Sequence, residues 1–457
     1  MYKVSRYNHF QPWSNGYHIA YNSRTGAVAL MTDDNHALYQ RIVNALGNGG
    51  DPTFTAEEED LVKQLLHGQF LYPDHYDELE DLKFGHRMAR YEQTTLGLII
   101  APTMACNMAC VYCFENNKQG LMSPETIDSL LAFVRERAPS LRDLTVNWYG
   151  GEPLLAMPVI ERLSSAFMEL AKAHEFDYKA SMITNGYLLT PETVSRLVDL
   201  KVNSAQVTID GPSRIHNRKR PLKNGKDSFA TIIENVKNAA PKMAISIRVN
   251  VDKNTTEDII VELLDELKQA GVHQRIGVNF GKIEASTTAC ANISEDCMDS
   301  TEFSRAEVLY YRLLFERGFL VGKLPLPSAT SCMAQLTSSF LIDHEGRIYR
   351  CFNYVGDESK AMGNIKDKID YSHPRFWDLF RFDPFEDDVC RECNLLPICL
   401  GGCPARRFEQ RTRREDMCDS WKHNLEPMLE IIARQRQQQM QAAQAQVQAQ
   451  AAAKEQS

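Results

Sequence analysis

The sequence predicts an α/β protein: six parallel strands curved into a partial barrel, preceded by a small winged-helix-like unit and followed by a cysteine-rich domain. Three observations carry that expectation. Between residues 93 and 285, apolar runs of strand length alternate with helix-like periodicity in six successive units. The first of these runs leads straight into a loop holding Cys106, Cys110 and Cys113. Seven further cysteines recur in a patterned block within residues 329–425.

In the N-terminal unit, residues 1–92, segments 17–21 and 27–31 are short strands separated by the turn-rich Asn22-Ser23-Arg24-Thr25-Gly26. A helix follows from Asn35, with Leu38, Ile42, Val43 and Leu46 on one face. Thr55 caps a second helix over 56–66, and 68–72 is a returning strand. Strands of the barrel, residues 93–285, are expected at 96–101, 144–148, 178–183, 205–209, 244–251 and 276–280. Between them, helices start at Ser123-Pro124 and run over 159–174, 191–200, 229–239 and 256–270. Right-handed crossovers follow from that alternation, and chemistry in such barrels collects at the C-terminal ends of the strands. Residues 286–328 form a bridging segment and 329–425 the cysteine-rich domain. The Ala- and Gln-rich tail, 426–457, has almost no apolar stripe and is expected to be a low-complexity helix or disordered.

A chain of 457 residues with a formal charge of -9 holds two or three cores and has no net pull toward nucleic acid. No apolar run reaches membrane-spanning length and the polar start is no secretory signal, so a cytoplasmic protein without a membrane partner is expected. Of the twelve cysteines, ten fall in the loop and the patterned block, which favours metal over disulfides in a reducing compartment.

Three thiolates at the spacing of Cys106, Cys110 and Cys113 can hold three irons of a cubane cluster and leave the fourth without a protein ligand. A zinc knuckle or packed thiols compete with that reading, but zinc wants a fourth ligand and no Cys or His follows before His174. At the end of the second strand, Gly150-Gly151-Glu152-Pro153 combines two glycines, which let backbone approach a neighbour closely, with a carboxylate. As a bare string it also reads as a tight turn. Asn185 and Asp210 close the third and fourth strands.

The C-x3-C-x2-C loop, with Tyr112 just before its last cysteine, resembles the signature of radical S-adenosylmethionine (SAM) enzymes. The resemblance implies a partial (β/α)6 radical SAM barrel whose open iron chelates SAM and whose electron cleaves it to a 5'-deoxyadenosyl radical. It also implies SAM contacts from Tyr112, Gly150, Gly151 and Glu152, with Asn185 and Asp210 near the ribose or substrate. Arg218-Lys219-Arg220-Pro221-Leu222-Lys223 then reads as a solvated loop or a carboxylate clamp, without a catalytic role.

The seven C-terminal cysteines resemble the SPASM pattern. Their chemistry alone leaves two clusters, one cluster plus zinc, two zincs, or disulfides open. The resemblance implies an outer cluster on Cys390, Cys393, Cys399 and Cys418 and an inner one on Cys332, Cys351 and Cys403. Leu326 stands where relatives can place the inner site's fourth cysteine. Cys290 or Cys297 could replace it; otherwise the inner cluster keeps an open iron that a substrate thiolate could occupy. The N-terminal unit resembles leader-peptide recognition domains, which bind an extended leader by strand addition. Together these imply SAM, three [4Fe-4S] clusters, a precursor peptide with a leader, and a flavodoxin- or ferredoxin-type electron donor.

The expected function is a peptide maturase that installs an intramolecular thioether. Alternatives are carbon-carbon crosslinking, formylglycine formation as in anaerobic sulfatase maturation, and a non-enzymatic electron carrier or peptide-binding protein. Formylglycine formation is disfavoured by Phe352, which stands where that branch places a catalytic aspartate. The general base is not identified by the sequence.

Overall fold

The computed structural model describes residues 2–14, 16–47, 52–113, 120–284, 293–409 and 414–455. Its N-terminal unit begins with β1 (Tyr2–Val4) and the meander β2 (Asn8–Pro12), β3 (Tyr17–Asn22) and β4 (Ala27–Thr32). Helices α1 (Asp33–Gly47) and α2 (Ala56–His67) pack Leu38, Ile42, Leu61 and Leu65 beneath that sheet. Thr55 and Glu58 form a capping box, so the two side chains satisfy N–H groups that the first turn of α2 would otherwise leave bare. The returning segment, β5 (Leu71–Pro73), pairs antiparallel with β1 and not with the meander. A further helix, α3 (Glu78–Arg90), is capped by Asp77 and lies where no helix was expected.

The barrel sheet contains β6 (Thr95–Ile100), β7 (Asp143–Trp148), β8 (Asp177–Thr184), β9 (Val202–Thr208), β10 (Ala244–Val251) and β11 (Ile276–Lys282), each parallel to the next. The crossovers carry α4 (Pro124–Arg137), α5 (Met157–His174), α6 (Pro191–Asp199), α7 (Ser213–Lys219), α8 (Phe229–Ala239) and α9 (Glu257–Gln269). Ser123 and Thr190 accept N–H groups at the starts of α4 and α6, and a proline opens each helix where its missing N–H costs nothing. Leu144, Val146 and Trp148 of β7 alternate with more exposed residues, so one face of the strand enters the shared apolar core.

After the barrel, α10 (Ser300–Glu316) packs Tyr310 and Tyr311 around Phe280. The C-terminal domain then adds two strands to the sheet: β12 (Ser339–Ile342) runs parallel to β6, and β13 (Ile348–Tyr349) pairs antiparallel with β12. A side chain at Gly97 would run into Ser339, so the glycine permits that junction. The short helices α11 (Pro374–Phe380), α12 (Asp388–Arg391), α13 (Leu396–Cys399) and α14 (Pro404–Glu409) carry the cysteine segments.

Finally α15 (Trp421–Glu455) returns along α10. The tail boundary expected at Glu426 cuts into this helix, which buries Met428, Leu429, Ile431 and Ile432 before Met440 and Val447 turn to solvent. The apolar residues before Arg434 form a stripe of their own, so only the later turns have the composition of an unburied helix. Among the described residues no helix is long and apolar enough to cross a membrane.

Candidate active site and cysteine sets

The three-cysteine loop is fastened on two sides. On one side Gly151 N–H donates to Thr103 O and Glu152 N–H to Ala105 O (3.2 and 2.9 Å). A side chain on Gly150 would meet the Thr103 carbonyl, and one on Gly151 the carbonyls of Met104 and Ala105. The glycine pair therefore lets one backbone lie on another. On the other side the basic run acts as a strap: Ala109 N–H donates to Pro221 O, Val111 N–H to Lys219 O, and Lys223 N–H to Asn107 O.

Glu152 is fully buried, and its carboxylate accepts from Leu154 N–H, Asn185 N–H and the Thr184 hydroxyl at 2.8–3.0 Å. Burial raises its pKa, and those donors oppose the shift. Asn185 extends the chain of contacts: its amide nitrogen donates to Asn107 Oδ1 (2.7 Å) and reaches Cys106 Sγ (3.8 Å). Glu152 thus holds the end of β8 against the cysteine loop.

A second network surrounds Tyr112. Its hydroxyl donates to Asp210 and accepts from Arg220 and from Asn250 Nδ2, while Asp210 Oδ1 accepts the Asn250 N–H (2.9 Å). Burial works against the charge on Arg220, but Tyr112, Cys110 and Asp210 hold its pKa well above the ordinary value. The sequence named Arg220 only as one of a basic run read as a solvated loop or carboxylate clamp; its separate role was obscured by two flanking basic residues that do not share its burial.

Burial also pushes the Cys106 thiol up to about 11, although Met108 N–H donates to its sulfur. A thiol in that setting becomes a ligand only if a cation replaces its proton, which is what an iron core does. The donor set fits that group: three sulfurs on one loop, with N–H donors and a buried guanidinium around them.

In the C-terminal domain Cys332, Cys351 and Cys403 form one electrostatically coupled set. Burial first, then Cys332 and Cys403, push the Cys351 thiol up to about 12. Glu409, which accepts from Tyr354 Oη (3.2 Å) and Lys360 Nζ (3.4 Å), also acts on Cys351. Cys390, Cys393, Cys399 and Cys418 line one small apolar cavity, where Arg407 reaches Cys390 Sγ (3.5 Å) and Lys422 reaches Cys393 Sγ (3.8 Å).

Leu400, Gly401 and Gly402 are consecutive residues with positive φ (43°, 83° and 78°). That left-handed turn sends Cys399 to the four-thiol set and Cys403, four residues on, to the three-thiol set. No disulfide joins the described cysteines. Cys290 lies outside the described residues. Cys297 donates to Ile293 O (3.4 Å) in a turn tied to Lys253, and Leu326 lies against Gly26 of the N-terminal meander.

A cavity of ≈ 460 Å³ separates the barrel mouth from the cysteine domain, with Tyr112, Arg248 and Asn250 on one wall and Asn353, Arg406 and Cys418 on the other. Arg406 forms an ion pair with Glu284, joining the two walls. The N-terminal unit approaches the four-thiol set: Tyr7, Leu79 and Leu82 pack with Cys390, Leu396 and Leu400.

Residues 100–267 match the model described as the radical SAM superfamily. The cysteine-type anaerobic sulfatase-maturating enzyme of Clostridium perfringens (strain 13 / Type A) is 26% identical over 72% of this chain and 95% of its own length. Mycofactocin maturase MftC of Mycolicibacterium smegmatis is 26% identical over 67% of this chain and 77% of its own. Among solved structures, Streptococcus suis SuiB bound to precursor peptide SuiA superposes with a TM-score of 0.52 over 90% of this chain and 98% of that one, at 16% sequence identity, a likeness of fold.

Proposed function

We propose that the protein, whose residues 100–267 match the radical SAM superfamily, is a radical SAM peptide maturase installing an intramolecular thioether in a ribosomally made precursor. The reading rests on one pairing above all. A three-thiol loop lies inside the barrel, and a second three-thiol set, Cys332, Cys351 and Cys403, lies in the domain across the mouth cavity. SAM with the [4Fe-4S] cluster of Cys106, Cys110 and Cys113 supplies hydrogen-atom abstraction from a substrate carbon.

The chain's own residues supply the rest. Gly150, Gly151 and Glu152 fix the cysteine loop, while Tyr112, Asp210 and Asn185 line or brace the ground beside it for cofactor contacts. The four-thiol set would hold a fully coordinated auxiliary cluster, and the three-thiol set a second one with an iron left for a substrate thiolate, giving three clusters in all. Joining a substrate thiolate to a carbon radical forms the carbon-sulfur bond and releases one electron, for which clusters on these two cysteine sets would be the acceptor. The unpaired outer edge of β2 or β4 would take an extended leader, and a flavodoxin- or ferredoxin-type protein would deliver electrons.

Formylglycine formation is the second reading, favoured by the coverage of the sulfatase-maturating relative. Phe352 argues against it: its ring meets Tyr149 edge-on at 5.1 Å and offers no proton acceptor. The test is anaerobic reconstitution with iron, sulfide, SAM, reductant and the precursor peptide encoded beside the gene, followed by mass spectrometry. The thioether reading expects loss of two hydrogens and a cysteine that resists alkylation. Conversion of that cysteine to an aldehyde would favour the second reading, and SAM cleavage with unchanged peptide would sink both.

A further inference from the structure

We propose that Arg248 is a carboxylate-binding residue of the substrate cavity and that the peptide segment held there carries an acidic side chain. This rests on the peptide-maturase reading. Arg248 stands on the inward face of β10, between Ser246 and Asn250, while Ile245, Ile247, Val249 and Val251 face the core. Its guanidinium lines the cavity beside Tyr112. Nε donates to Asn250 Oδ1 (3.2 Å) and Nη1 to Asn279 Oδ1 (3.3 Å), both neutral amides. Among the described residues no carboxylate lies within ion-pair distance of it.

The neighbouring acids are committed elsewhere. Glu307 accepts from Lys323 Nζ (2.6 Å) and Asn424 Nδ2 (2.9 Å), Glu284 pairs with Arg406 and Lys282, and Asp210 with Tyr112 and Arg220. A buried guanidinium hydrogen-bonded to neutral amides, on which Asp210 and Glu307 act only from beyond ion-pair distance, keeps a charge to offer, because those longer-range attractions do not offset its desolvation. The neighbouring strand is shaped around it. A side chain on Gly281 would coincide with Nη2 of Arg248, so β11 leaves space for the head group to lie flat at the cavity edge. Gly281 is not among the positive-φ glycines, so space and not backbone conformation explains it.

Two carboxylates could reach this head group, that of SAM and that of a peptide. Arg220 is the cation that acts on Cys110 and bonds Tyr112, on the cysteine-loop side, whereas Arg248 faces the cavity that opens toward Asn353 and Arg406. The peptide is therefore the assigned source. A bidentate guanidinium-carboxylate contact in such a cavity is among the stronger charged hydrogen bonds.

The probe is N-acetyl-aspartate methylamide against its neutral asparagine counterpart, titrated by NMR into the anaerobically reconstituted full chain with saturating SAM. Wild type is expected to bind the aspartate probe at least ~10-fold more tightly than the amide. Arg248→Gln and, independently, Gly281→Ala should erase that preference, and Arg248→Lys should restore part of it. Cluster absorbance and SAM affinity by equilibrium dialysis check that each variant is folded.

Equal affinity of wild type for both probes, or a preference that survives Arg248→Gln in a folded variant, overturns the assignment. So does competition between SAM and the probe, or loss of SAM affinity with the preference intact; either would give Arg248 to the cofactor. If the peptide-maturase reading fails while the preference stands, Arg248 remains a carboxylate site for another substrate, so the two failures are distinguishable.

Discussion

Cys106, Cys110 and Cys113 ride on a loop tied by backbone hydrogen bonds to two other barrel loops, whereas Cys390, Cys393, Cys399 and Cys418 surround an apolar cavity walled by short helices. The first arrangement holds three sulfurs among polar groups, with a hydroxyl, two carboxylates and a guanidinium close by. The second closes around four sulfurs in a mostly apolar wall, with Arg407, Arg414 and Lys422 at the edge and Cys418 also lining the mouth cavity. Ligand number and wall polarity therefore change together. On the proposed reading the first set would serve exchange, with a corner left for a ligand among polar groups, and the second would serve storage, with Cys418 alone of its four thiols also lining the mouth cavity.

Substitution of one thiol in each region is the harshest test of that contrast. Cys106→Ala is expected to lower SAM cleavage, read as 5'-deoxyadenosine by chromatography, by at least ~10³-fold, about 4 kcal/mol of barrier. Cys399→Ala should spare most SAM cleavage and abolish peptide product. Equal loss of SAM cleavage in both variants would erase the distinction between the regions.

Arg220→Met comes next. It strands Asp210, which is 1% exposed, with Tyr112 as its side-chain partner and no cation. Removal of one member of a buried pair costs about 3–5 kcal/mol, measurable by chemical denaturation of the reconstituted protein. A loss below about 1 kcal/mol would mean the network does not brace the loop.

Gly151→Ala probes the backbone contact directly. Its new methyl would overlap the carbonyls of Met104 and Ala105, at a cost of about 1–3 kcal/mol in thermal unfolding, with selective loss of the barrel cluster's iron. Gly402→Ala meets the Met417 carbonyl instead and should lose iron from the C-terminal domain.

The gentlest test is acid. His216 is buried, takes the Asp210 N–H on Nδ1, and has its pKa lowered to about 3 by burial and then by Arg220. The unfolded chain protonates near 6.5, so it binds more protons than the native state between those values. Stability from this group is complete above pH 6.5 and is lost as pH falls. Going from pH 7.5 to 5 should cost about 2 kcal/mol, a slope that His216→Asn flattens.

Much of the barrel could be read from the chain because period and punctuation agree there. The strand expected at 244–251 is β10 to the residue, and Thr190 and Ser123 cap the helices they were expected to cap. What escaped was tertiary. The segment 68–72 has strand chemistry, but its partner is the chain's own first residues, which have too few apolar positions to announce a strand. α3 carries Phe84 and Met88 toward solvent, followed by exposed Tyr91 at its C-cap, which blurs its apolar stripe. In the site, Gly150, Gly151 and Glu152 were legible as a motif, yet whether the glycines face a ligand or another backbone depends on how the loops stack. Arg248 and Gly281 belong to different strands, and only register brings them together.

One junction also bears on how the protein is made. Ser339 sits opposite Gly97, more than half the chain away, so the outer side of β6 has no partner until the ribosome has delivered nearly three quarters of the polypeptide. During that interval the nascent barrel exposes an unpaired hydrogen-bonding edge next to the cysteine loop, a template for pairing with other chains. Slow translation or truncation before residue 339 should therefore yield aggregates, and iron-sulfur loading is best timed after release.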